Sequence, residues 1–112
     1  MATKRYCLTL NLKNDPVLIE EYERYHKQIP EAILQSFKDA DILSMELYRW
    51  ETRLFMVLDV SENFSFERKK LLDENNPKVK EWENLMLKYQ EPIAENKSSE
   101  KWVLMNQIFK TN

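Results

Sequence analysis

His26 is the chain's only histidine and the one side chain type here whose ordinary pKa lies near neutrality. Tyr22 lies four residues earlier, so on a helix the two rings share a face and can point into one cavity. An imidazole so placed suits general acid–base work, taking and returning a proton near ambient pH. It equally suits plain packing on the inner side of a helix. Trp82 is a second candidate. An indole on an apolar stripe is usually core, yet it is also a good platform for the C–H face of a sugar. Glu83 stands about 100° around the helix from Trp82. It can accept hydrogen bonds from a ligand if it turns inward and is a solvated charge if it does not. Cys7 reads as packing rather than as a nucleophile, because a Cys–His pair needs a contact that sequence does not supply. Glu67-Arg68-Lys69-Lys70 reads as a solvated helix face, and Met45, Met56, Met86 and Met105 as core filler.

The elements that must position these residues follow from periodicity. Residues 5–12 alternate, with Tyr6, Leu8, Leu10 and Leu12 on one face and Cys7, Thr9 and Asn11 on the other, the pattern of a half-buried strand. Asp15 suits an N-cap and Pro16 the first helical position. An amphipathic helix is expected from there to about Lys38, with Pro30 kinking or interrupting it. Residues 42–50 and 53–60 form a hairpin candidate across Glu51-Thr52. Helices are expected at 64–73 and 77–90, a polar loop at 91–100 and a closing strand at 102–109. The order β-α-β-β-α-β predicts an α+β, ferredoxin-like sandwich: a four-stranded antiparallel sheet with helices on one face, in a single domain spanning 1–112. The other face would be open although it carries apolar residues, drawn from Ile42 or Leu43, Leu54 or Phe55, and Leu104 or Met105. A homodimer packed sheet on sheet would cover it.

Composition excludes several function classes. The chain has 112 residues, 17 Lys and Arg against 19 Asp and Glu, and no glycine. Near-balanced charge gives no reason to expect nucleic acid. Phosphate loops, dinucleotide fingerprints and nucleophile elbows all require glycine where backbone turns sharply or meets phosphate. One histidine and one cysteine leave no multi-His or Cys-rich zinc motif, and Cys7 has no partner for an internal disulfide. The lone cysteine fits a reducing cytosol. No apolar run is long enough to span a membrane, and MATKRYCLTLNL has no signal-peptide core, so a cytoplasmic protein without membrane or nucleic-acid partners is expected.

Beyond these local readings, Glu20 to His26 (E-E-Y-E-R-Y-H), following the opening strand, resembles the E-E-Y-x-x-x-H motif of the L-rhamnose mutarotase family. The resemblance continues through Leu54 to Val57 (L-F-M-V), Lys80 to Met86 (K-E-W-E-N-L-M) and Lys101 to Met105 (K-W-V-L-M), covering nearly the whole chain in order. It implies a dimeric ferredoxin-like α/β barrel that interconverts the anomers of a 6-deoxy sugar without metal or cofactor. By the same resemblance the substrate tyrosine falls on Tyr22, the proton-donating histidine on His26 and the first sugar-binding tryptophan on Trp82. The chain departs from the family at three places. Trp82-Glu83 stands where W-W is usual, His26 to Glu31 (H-K-Q-I-P-E) lacks a tryptophan, and a further substrate tyrosine falls on Met45. The W-E variant resembles a branch associated with L-fucose as much as with L-rhamnose, which makes Glu83 a candidate for choosing between sugars. A ligand-binding dimer and a cofactor-independent monooxygenase-type barrel are the alternatives.

Overall fold

The computed structural model describes residues 2–96 and 100–112. Its elements are β1 (Thr3–Leu12), α1 (Pro16–Tyr25), α2 (Glu31–Asp39), β2 (Ile42–Trp50), β3 (Arg53–Ser61), α3 (Phe66–Glu74), α4 (Pro77–Leu87), β4 (Gln90–Glu91) and β5 (Val103–Leu104). The sheet is antiparallel, in the order β2-β3-β1, with β4 and β5 sharing the remaining edge of β1. This is the strand order of the expected ferredoxin-like sandwich.

Local chemistry accounts for most boundaries. The Asp15 carboxylate accepts from the Val17 and Leu18 amides, and the Asn76 side chain does the same for Lys78 and Val79, each ahead of a proline at the first helical position. Ser65 caps α3 through the Arg68 amide. Without glycine, two turns are made by other residues at positive φ: Asp41 at 67° and Glu51 at 51°. Neighbouring arginines hold both. Arg68 donates to the Asp41 carboxylate and the Asp39 carbonyl, while Arg49 donates to the Glu51 carbonyl. Such contacts offset the steric cost that a Cβ brings to this conformation.

Alternation on β1 and β3 turns Leu8, Leu10, Leu12, Leu54, Leu58 and Val60 toward the helices, where all are buried. The opposite face carries Tyr48, Trp50 and Phe55 in exposed positions, together with Cys7, Val57 and an Arg5–Asp59 ion pair. Of the apolar residues expected on this open face, Phe55 lies there, whereas Ile42 and Leu54 belong to the core. Leu43 is the extra residue of a bulge and is exposed.

Pro30 interrupts the first helical region as expected, giving two helices separated at His26–Pro30. One expectation is corrected. The closing strand expected over 102–109 is only Val103–Leu104. Its continuation keeps the bond from Met105 N to Cys7 O at 2.8 Å and then leaves the sheet, with Ile108 96% exposed. Gln90–Glu91, expected as helix and loop, pairs instead with Leu12 and Asn11 and takes the stretch of the β1 edge on the Lys101 side of β5. Of that 91–100 loop, residues 97–99 lie outside the described residues. Among the described residues no helix is long and apolar enough to cross a membrane.

Candidate active site

Pro30 shapes the site from a distance of four residues. It has no N–H to offer the His26 carbonyl and it disfavours helical backbone at Ile29, so α1 stops and His26 becomes its C-cap. In this tightened last turn the His26 amide bonds to the Glu23 carbonyl rather than to that of Tyr22. The Tyr22 carbonyl is thereby freed, and His26 Nδ1 takes it at 2.8 Å. A carbonyl can only accept, so Nδ1 carries the hydrogen and the neutral ring presents Nε2 as a lone pair. Burial pushes the His26 pKa down, outweighing the upward pull of this bond. The imidazole therefore favours its neutral, proton-accepting form.

Aromatic rings from α1 and α4 surround it. The Tyr22 and His26 centroids are 4.4 Å apart, and Trp82 meets His26 edge-on at 5.6 Å. Tyr25 stands edge-on to Trp82, and Tyr89 packs against both Tyr22 and Tyr25. Tyr22 is only 3% exposed, and burial raises its pKa to about 12, so its hydroxyl keeps its proton. The Tyr89 pKa is likewise pushed up to about 12, by burial and by the Glu21 carboxylate to which its hydroxyl donates at 3.1 Å.

Glu83 does not point to open solvent alone. Its carboxylate accepts from Lys101 Nζ at 2.6 Å, and the same ammonium donates to Gln90 Oε1 at 2.7 Å. Gln90 Nε2 faces Tyr22 Oη at 3.4 Å, a long bond. The structure thus brings His26, Tyr22 and Trp82 together directly, and joins Glu83 to them through two residues that are not among the sequence-predicted site residues. Gln90 directly follows the stripe of α4, and Lys101 opens the K-W-V-L-M motif. Neither has a local signature, because the contact depends on two short strands sharing one edge. Met45, where the family's further tyrosine falls, packs at the opposite end of the helix-covered face, beside Leu58 and Val60. Cys7 lies on the open face. A cavity of about 350 Å³ near the start of α1, lined in part by Asn14, Glu20, Glu23 and Arg49, does not include His26.

The family match takes in the whole of this arrangement of a Tyr-x-x-x-His turn and a tryptophan: the L-rhamnose mutarotase model matches residues 5–111. The chain belongs to the L-rhamnose mutarotase family. It is 32% identical to an L-fucose mutarotase of Xanthomonas campestris pv. campestris over 111 residues, covering 97% of this chain and 89% of the relative. It is 34% identical to a UPF0734 protein of Dictyostelium discoideum, covering 95% of this chain and 88% of that one. Its fold is similar to the crystal structure of an L-rhamnose mutarotase from Formosa agariphila, with a TM-score of 0.71 over 97% of this chain and 99% of the other at 18% identity. Family membership favours an isomerase over the monooxygenase-type and ligand-binding alternatives.

Proposed function

We propose that this protein interconverts the α and β anomers of a 6-deoxy hexose, L-fucose or L-rhamnose, with His26 as the catalytic acid–base. The observation that carries the reading is the His26–Tyr22 turn: one helix end sets the tautomer, burial lowers the pKa, and the ring lies beside a buried phenol and an indole. Ring opening moves one proton from the anomeric hydroxyl to the ring oxygen while the bond between C1 and that oxygen breaks. Both oxygens are bonded to C1, so a single nitrogen can accept from one and deliver to the other. The aldehyde end then rotates, and the same proton transfers in reverse close the ring as either anomer. Neutral Nε2 starts this cycle as the acceptor, and the imidazolium it becomes is the donor to the ring oxygen.

The remaining residues bind the sugar. Tyr22, whose pKa of about 12 makes it a poor source of a full proton, contributes a hydrogen bond from its hydroxyl. Trp82 supplies an apolar face for the ring, and Glu83 accepts from sugar hydroxyls. A homodimer formed through the open sheet face completes the assembly. Exposed Tyr48, Trp50 and Phe55, with the apolar arm around Ile108 and Phe109, support it. The lone cysteine suits the cytoplasm.

Saturation transfer between the two anomeric C1 protons tests the activity. Added protein should accelerate exchange for L-fucose or L-rhamnose well above the spontaneous rate; no acceleration for either sugar would end the proposal. Sedimentation at micromolar concentration should give twice the chain mass. In Glu83→Trp, a ratio of L-fucose to L-rhamnose exchange equal to that of the wild type would remove Glu83 from the sugar.

A further inference from the structure

The chain of contacts from Glu83 to Tyr22 has a direction. Lys101 Nζ can only donate, and it spans Glu83 Oε2 at 2.6 Å and Gln90 Oε1 at 2.7 Å. The Gln90 carboxamide must therefore turn its oxygen to Lys101, which leaves its NH₂ facing Tyr22 Oη. An amide that donates makes the phenol oxygen an acceptor there, so the phenol's own hydrogen points elsewhere. Gln90 is 6% exposed and Tyr22 3%, which leaves little water to scramble these orientations. The topology builds the arrangement. Gln90 pairs with Leu12 on one β1 edge, and β5 joins the same edge at Val103, two residues after Lys101.

We infer that Lys101 is a positioning residue: through Gln90 it fixes Tyr22 as a hydrogen-bond donor toward the sugar, and with its other contact it holds the Glu83 carboxylate at the site. The inference rests on the proposed anomer exchange. The relay adds to it a reason for a lysine at the mouth of a site whose chemistry needs no cation. It also makes one ammonium set both the phenol that contacts the sugar and the carboxylate proposed to select it.

The test compares Lys101→Met, Lys101→Arg and Gln90→Glu. The last keeps the shape but presents an acceptor to both neighbours, so the Tyr22 hydrogen is drawn away from the sugar. Lys101→Met and Gln90→Glu should lower kcat for L-fucose or L-rhamnose exchange about tenfold, with KM changed less, and Lys101→Arg should retain most of the rate. Independently of any sugar, the ¹³Cζ resonance of Tyr22 in tyrosine-labelled protein, assigned with Tyr22→Phe, should move in the first two variants and stay in Lys101→Arg. If the wild type exchanges neither sugar, the functional reading falls and the resonance alone decides the relay. An unmoved resonance overturns the inference. A moved resonance with wild-type kcat overturns the positioning role, and if Lys101→Met does not fold, Gln90→Glu carries the same comparison.

Discussion

The helix-covered face of the sheet has two ends that are built from the same strands and packed to different purposes. At one end Leu8, Ala40, Ile42, Leu58 and Val60 form a buried aliphatic cluster, flanked by Tyr6, Phe37, Met45, Met56, Phe64 and Trp102. At the other, Leu12 and Leu54 sit beneath Tyr22, Met86 and Tyr89, with Trp82 at the margin. β1 supplies Leu8 to the first and Leu12 to the second, so strand pattern alone does not distinguish them. The helices do. The aliphatic end gains stability from apolar burial. The aromatic end buries hydroxyls that must each find a partner, Gln90 for Tyr22 and Glu21 for Tyr89. Those obligations hold the rings in orientations that reach His26, and precise orientation is what proton transfer to a bound sugar requires. Chemistry and stability are thus separated along one sheet by about the length of a strand.

Mutations at the two ends should therefore break different properties. His26→Ala should lower anomer exchange by about 10²–10⁴-fold with only a small shift in the thermal midpoint, checked by saturation-transfer NMR beside a melting curve. Equal losses of rate and stability would merge the two ends. Leu58→Ala, at the aliphatic end, should cost about 2–5 kcal/mol in denaturant unfolding and leave the rate per folded molecule unchanged. Tyr22→Phe sharpens the contrast within the aromatic end: kcat should fall about tenfold, the worth of one hydrogen bond, and circular dichroism should be unaltered.

The smallest expected effect is a pH dependence of stability. Burial holds the folded pKa of His26 below its ordinary value of 6.5. Between these two values the unfolded chain binds a proton that the folded chain does not. The histidine's contribution to stability is fully present above the unfolded pKa and is lost as pH falls through the folded one. Unfolding free energies measured across mildly acidic pH should decline more for the wild type than for His26→Gln. Anomer exchange should fade over the same acid limb as Nε2 becomes protonated.

Much of the fold was legible along the chain because it is written in local rules. Alternation marks β1, Asp15-Pro16 and Asn76-Pro77 open α1 and α4, and Pro30 divides the first helical region. The Tyr22–His26 pair was legible for the same reason, since a spacing of four on a helix is a local fact. Three things lay outside those rules. A two-residue strand carries no periodicity, so β4 and the shortness of β5 emerge only where each meets the β1 edge. The tautomer of His26 follows from a carbonyl released by the tightened helix end, a hydrogen-bond choice that residue types do not reveal. Glu83 is placed by Lys101, a residue eighteen positions away, and helix phase could not say which way it turned. Residue type and spacing determined which groups could do acid–base chemistry. Tertiary structure decided their protonation, their donors and acceptors and their company, because those are settled by whichever partner lies within three ångströms, wherever it falls in the chain.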